Sequence, residues 1–224
     1  MPEADDRRPL GVFGGTFDPL HFGHLRLAEE ACERLQLAAV RWIPAGQPAL
    51  RGSPRVSAAQ RLAMVRLATA DNARFTVDCA EAAVSQASYT VPTLERLRRP
   101  EVCGAQRPLV LLLGADAFLR LPEWHRWQSL FALAHIAVAH RPGSSLAERS
   151  LPPALGDACR ERFSTDAAQL SDAPAGRVVP FAMTPLAISA TQVRALLAAG
   201  ESVRYLLPDA LIAYIRAHHL YTEH

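Results

Sequence analysis

An α/β fold, an open parallel sheet with helices on both faces, is predicted by three features of this 224-residue chain. Short aliphatic runs alternate with stretches of helical apolar spacing, the pattern that right-handed parallel crossovers leave in a sequence. Residues 109–113 are aliphatic at every position, as a strand covered on both faces requires. The first aliphatic run feeds through a glycine turn directly into a helix, an arrangement that turns backbone N–H groups outward.

The elements follow in order. Residues 10–14 read as a buried first strand and 23–35 as the helix after it, with Leu25, Ala28, Ala31, Cys32 and Leu35 at helical spacing. Residues 40–43 form a second strand closed by Pro44, and 45–54, rich in Gly and Pro, a loop. Ser57 caps a helix running to residue 70, with Leu62, Val65 and Leu67 apolar. A third strand is predicted at 75–77, a helix at 90–99, the clearest strand at 109–113, a helix at 124–133 and a strand at 136–139. Residues 142–174 are looser and more polar, a helical or irregular excursion. A last strand at 178–181 precedes two closing helices, 191–199 and 208–218. No internal repeat breaks this order, and the length fits one domain over residues 1–224, with the closing helices in 185–224.

Composition narrows the function. Half of the residues are hydrophobic, enough for a core, and a net charge of +2 supplies no basic stripe for nucleic acid. All 24 basic residues are arginine, so a phosphate must be met by arginine, histidine, backbone N–H or metal, never by a P-loop lysine. Cys32, Cys79, Cys103 and Cys159 are scattered, without the paired spacing of a zinc ribbon or redox dithiol. Residues 1–9 lack an apolar signal core, and no apolar run approaches the ~20 residues that span a bilayer. The expectation is a cytoplasmic protein with neither a nucleic-acid nor a membrane partner.

Two segments carry the chemistry. In the first, Gly14, Gly15, Thr16 and Phe17 lead through Asp18 and Pro19 to His21 and His24, which stand three apart at a helix start. A histidine pair of this spacing can cap or pack; behind a glycine turn it sits where the helix dipole favours an anion. In the second, Ser189 and Thr191 place hydroxyls at another helix start, with Arg194 one turn on. Two phosphate-type helix starts in one chain imply a polyphosphate substrate. Parallel sheets bind ligands beyond the C-terminal ends of their strands, and both the glycine turn and Gly114-Ala115-Asp116 are expected there.

The run Gly11-x-Phe13-Gly14-Gly15-Thr16-Phe17-Asp18-Pro19-x-His21-x-Gly23-His24, with Ile188-Ser189-x-Thr191-x-x-Arg194, resembles the nucleotidyltransferase superfamily marked by HxGH and ISxTxxR motifs. Ser88-Tyr89-Thr90 and Trp124-His125-Arg126-Trp127 are similar to its bacterial nicotinate-nucleotide adenylyltransferase branch. The resemblance implies a Rossmann-like sheet and transfer of adenylyl from ATP to nicotinate mononucleotide, releasing pyrophosphate. It implies that His21 and His24 hold the ATP phosphates and that Ser189, Thr191 and Arg194 hold the β- and γ-phosphates. Mg2+ would ride on the triphosphate, with no protein metal site. For the acceptor it implies Trp124 against the pyridine ring, Thr90 and the His125 N–H on the carboxylate, Asp116 on the ribose, and Arg141. One departure stands out: the family histidine in the loop after Ile43-Pro44 is replaced by Leu50, leaving Arg51 as the nearby charge.

Two alternatives are open. The acceptor is nicotinamide mononucleotide, phosphopantetheine or a sugar phosphate; or the chain binds nucleotides without catalysis, which two intact phosphate motifs disfavour. A nicotinamide-dependent dehydrogenase fails because no GxGxxG follows the first strand. Oligomeric state leaves no trace in the sequence.

Overall fold

The computed structural model describes residues 8–49, 52–141 and 151–222. Its strands are β1 (Leu10–Gly15), β2 (Ala39–Pro44), β3 (Gln47–Pro48), β4 (Phe75–Val77), β5 (Ala87–Ser88), β6 (Leu109–Gly114), β7 (His135–His140) and β8 (Val178–Ala182). Its helices are α1 (Phe22–Arg34), α2 (Ala58–Thr69), α3 (Thr90–Leu97), α4 (Ala115–Leu119), α5 (Leu130–Leu133), α6 (Pro153–Cys159), α7 (Ala190–Ala198) and α8 (Asp209–Ala217). Six strands form one sheet in the order β4-β2-β1-β6-β7-β8, and β1 with β6, β6 with β7 and β7 with β8 pair in parallel. This is the parallel α/β architecture expected from the sequence.

The chain divides into two compact units. The first comprises Met1–Phe13, Ala28–Arg41 and Tyr89–Thr184. Leu10 pairs with Leu109, Leu111 with Ile136 and Ile136 with Val178, so the aliphatic run of β6 lies between two neighbours and is wholly buried. Gly11 is a close approach: a Cβ there would stand 2.9 Å from both Leu37 Cδ1 and Val40 Cγ2. α3 buries Val91, Leu94 and Leu97 and packs on α5. The buried Glu30 carboxylate on α1 accepts the Thr184 N–H at 3.0 and 3.1 Å, anchoring the chain just beyond β8.

The second unit comprises Gly14–Leu27, Trp42–Ser88 and Pro185–His224. Ser57 caps α2 in a full capping box with Gln60, as its position predicts. α2 packs against α8. α8 ends in a Schellman motif: His219 takes the left-handed conformation (φ 49°), its N–H reaches the Arg216 carbonyl at 3.2 Å, and the Leu220 N–H reaches the Ile215 carbonyl at 3.0 Å.

Two local expectations differ from the structure. Residues 124–133 do not form one helix. A 3-10 turn at Leu121–Glu123 ends with Trp124 extended (φ −82°, ψ 143°); Arg126 is left-handed (φ 54°), and the α-helix covers only Leu130–Leu133. A long-range ion pair, Arg126 to Glu95 at 2.7 Å, accompanies the break. Within 45–54, predicted as loop, Gln47 and Pro48 form β3 and pair with Ala87 and Ser88 of β5. The described part of 142–174 contains α6 and a 3-10 turn at Ala167–Leu170.

Candidate active site

In the second unit the chain leaves β1 through the glycine turn of the first motif, Gly14 to Phe17, the residues expected to bind ATP. Gly14 is exposed, and Gly15 and Thr16 are half-buried. Phe17 adopts a left-handed backbone (φ 49°) that folds its ring back over Gly15, where a Cβ would meet the ring at 2.9 Å. That ring is buried and stands edge-on to His24, with centroids 5.3 Å apart. The spacing of the two histidines stacks their rings at 3.8 Å and 26°. Gly23 is the floor of this stack, since a Cβ there would lie 3.0 Å from the His21 ring.

Hydrogen bonding fixes the imidazole chemistry. The His21 N–H donates to His24 Nδ1 at 3.2 Å, so the neutral His24 ring carries its proton on Nε2. His21 is 6% exposed, and burial pulls its pKa down to about 4, keeping it neutral at physiological pH. Its Nδ1 has no hydrogen-bond partner among the described residues.

The second motif opens α7 as expected. Ser189 is the N-cap, its Oγ accepting the Gln192 N–H at 3.1 Å. Thr191 is exposed in the first turn, and the N–H groups of Ala190 and Thr191 make no hydrogen bond among the described residues. Arg194, half-buried, donates from Nη1 to the Asp18 carbonyl at 2.6 Å and from Nη2 to Thr191 Oγ1 at 3.3 Å. Residues 176 positions apart in sequence thus meet, and the arginine of one motif rests on the loop of the other.

Three residues around this loop escaped the sequence reading as site residues. Asp18 is buried; its carboxylate accepts the Arg55 N–H at 2.8 Å and the Tyr221 hydroxyl at 2.7 Å. Arg61, 1% exposed, donates to the carbonyls of Thr16 at 2.8 Å, Ala45 at 2.5 Å and Gly46 at 2.7 Å. Burial lowers its pKa, while the nearby Asp18 and Tyr221 act in the opposite direction. The loop it clasps has no slack, because a Cβ on Gly46 would collide with the Glu81 carbonyl oxygen. An arginine on the same buried face of α2 as Met64 and Val65 was the available signal for Arg61; for Tyr221, beyond the last helix, there was none.

The first unit holds the residues expected to take the acceptor. Thr90 opens α3, and Asp116 lies exposed in the first turn of α4, directly after β6. Trp124 is half-buried and Trp127 buried against Phe131, with ring centroids 6.1 Å apart, so the first indole has a surface to offer and the second is core. His125 is exposed, its ring 4.9 Å from that of Tyr89, and its N–H makes no hydrogen bond among the described residues. Arg141 is exposed just after β7. Leu50 and Arg51 lie outside the described residues. Among the described residues no cluster of three His, Cys, Asp or Glu side chains could hold a metal ion, and no helix is long and apolar enough to cross a membrane.

Comparison with known proteins places the chain in a family. The cytidylyltransferase-like family matches residues 12–196. A probable nicotinate-nucleotide adenylyltransferase of Dechloromonas aromatica is 59% identical over 213 residues, covering 95% of this chain and 97% of that protein. One from Pseudomonas aeruginosa is 48% identical over 212 residues, covering 95% and 96%. Among solved structures, Plasmodium falciparum nicotinic acid mononucleotide adenylyltransferase complexed with NaAD superposes with a TM-score of 0.69 at 14% identity, covering 96% of this chain and 97% of that one; at this identity the likeness speaks for the fold. With a glycine turn leading to stacked histidines and an arginine of the second motif resting on the same loop, the chain belongs to the cytidylyltransferase-like family, among its nicotinate-nucleotide adenylyltransferases.

Proposed function

We propose that the chain transfers the adenylyl group of ATP to nicotinate mononucleotide, giving nicotinate adenine dinucleotide and pyrophosphate in the cytoplasm. The observation that carries this reading is the Arg194–Asp18 contact, which joins the two phosphate motifs. A mononucleotide phosphate oxygen attacks the α-phosphorus in line; that P–O bond forms as the bond to the β-phosphate oxygen breaks, and pyrophosphate departs with the electron pair. No protein nucleophile is needed, so catalysis is positioning and charge stabilisation.

The residues divide this work. His24, with its proton on Nε2, donates to a non-bridging α-phosphate oxygen, and the buried neutral His21 backs it as a second donor. Gly14, Gly15, Thr16 and Phe17 shape the loop over the phosphates. Ser189, Thr191, the open N–H groups of α7 and Arg194 take the β- and γ-phosphates, where the helix dipole adds to the guanidinium. Mg2+ arrives on the triphosphate. Thr90 and the His125 N–H receive the nicotinate carboxylate, Trp124 the ring, Asp116 the ribose, and Arg141 the acceptor phosphate. Residues 1–224 act as one nucleotidyltransferase domain, a view supported by a family match that runs through both units.

Pyrophosphate release from ATP and Mg2+ with a panel of phosphate acceptors tests the proposal. Release is expected with nicotinate mononucleotide and not with phosphopantetheine or sugar phosphates; release with none of the panel would refute it.

A further inference from the structure

Asp18 is a junction. Its carbonyl holds Arg194 at 2.6 Å, and its buried carboxylate is held by the Arg55 N–H at 2.8 Å and the Tyr221 hydroxyl at 2.7 Å. The Tyr221 bond comes from 203 residues away, out of the segment that follows α8. That segment is shaped to deliver it. His219 is left-handed because it closes the Schellman motif, and the buried Leu220 pins the turn. Tyr221 is left-handed as well (φ 63°), with no helix left to terminate. A non-glycine residue in that region persists only where its surroundings over-determine it. Among those surroundings is the hydroxyl bond to Asp18. The phenol remains a donor, since burial and the adjacent carboxylate both push its pKa well above the ordinary range.

We propose that Tyr221 is a positioning residue for the transfer reaction: its hydroxyl, through Asp18, sets where Arg194 presents its guanidinium to the departing pyrophosphate. The inference rests on the assignment of Arg194 to the leaving phosphates. Without the hydroxyl, one buried carboxylate oxygen of Asp18 loses its donor, and a buried acceptor left unmet relaxes toward another arrangement. The carbonyl of the same residue moves with it, and Arg194 with the carbonyl. Because the arginine donates in a planar fork, a small displacement costs alignment with phosphate.

Tyr221→Phe removes one oxygen and keeps the ring, so packing of the turn survives; rates are normalised to the folded fraction measured by thermal melting. The expected result is a loss of about tenfold in kcat/KM for ATP, with KM for nicotinate mononucleotide unchanged. In an Arg194→Lys background, which is itself impaired, the same substitution is expected to change kcat/KM by less than twofold, the non-additivity of two groups acting through one contact. Wild-type kcat/KM in Tyr221→Phe, or full additivity with Arg194→Lys, would overturn the role of Tyr221 alone. An Arg194→Lys enzyme as active as wild type would instead overturn the assignment of Arg194 beneath it.

Discussion

At the scale of single residues, the two histidines of the HxGH motif stand in different environments that their spacing alone does not reveal. His24 is half-buried and has its tautomer set by the His21 N–H, so in the proposed transfer it is the ring that donates. Its replacement by alanine removes a preorganised donor to developing charge, an effect typically worth about 10²–10³ in kcat. We expect His24→Ala to lose that much turnover in a pyrophosphate-release assay while its melting temperature stays within a few degrees of wild type. His21 gives a different signature. Its pKa lies near 4 in the folded protein and about 6.5 when unfolded. Between those values the unfolded chain binds more protons, so stability falls as pH drops from about 6.5 to about 4, by at most about 3 kcal/mol. Urea unfolding across that window should show the decline, and His21→Asn should flatten it.

At the scale of elements, what was legible in the sequence follows from period and length. β6, α1, α7 and α8 have long or strongly patterned runs, and each lies where its pattern places it to within a residue or two. β3 and β5 are two residues each, too short to carry any period, and they exist because they pair with each other. The helix expected over 124–133 had apolar residues at helical spacing, but Arg126 is left-handed and bonded to Glu95, a partner 31 residues away that no local pattern announces. The site shows the same division. The two phosphate motifs were readable because each is contiguous. Asp18, Arg61 and Tyr221 were not, because their roles arise from contacts between separate segments, from 15 to 203 positions apart. α2 shows how an ordinary element serves the site, since its capping box holds the helix that brings Arg61 to the loop carbonyls. Ser57→Ala should cost about 1 kcal/mol in chemical denaturation, with a smaller effect on turnover than His24→Ala.

At the scale of the whole molecule, the second unit holds the groups assigned to ATP and the first unit those assigned to the acceptor. On that assignment, specificity for the acceptor belongs to the first unit. The donors proposed there, the Thr90 hydroxyl and the open His125 N–H, suit a carboxylate better than a neutral amide, which brings N–H groups of its own. We expect kcat/KM for nicotinate mononucleotide to exceed that for nicotinamide mononucleotide by at least tenfold; equal or reversed values would refute the preference.

The three tryptophans are unequally sheltered: Trp42 and Trp127 are buried, while Trp124 keeps part of its face open. Iodide added to the resting enzyme should therefore dim a minority of the intrinsic emission, and an electron-poor pyridinium lying on Trp124 should extinguish the same fraction. The fluorescence of the unlabelled protein then becomes a titratable signal for acceptor occupancy.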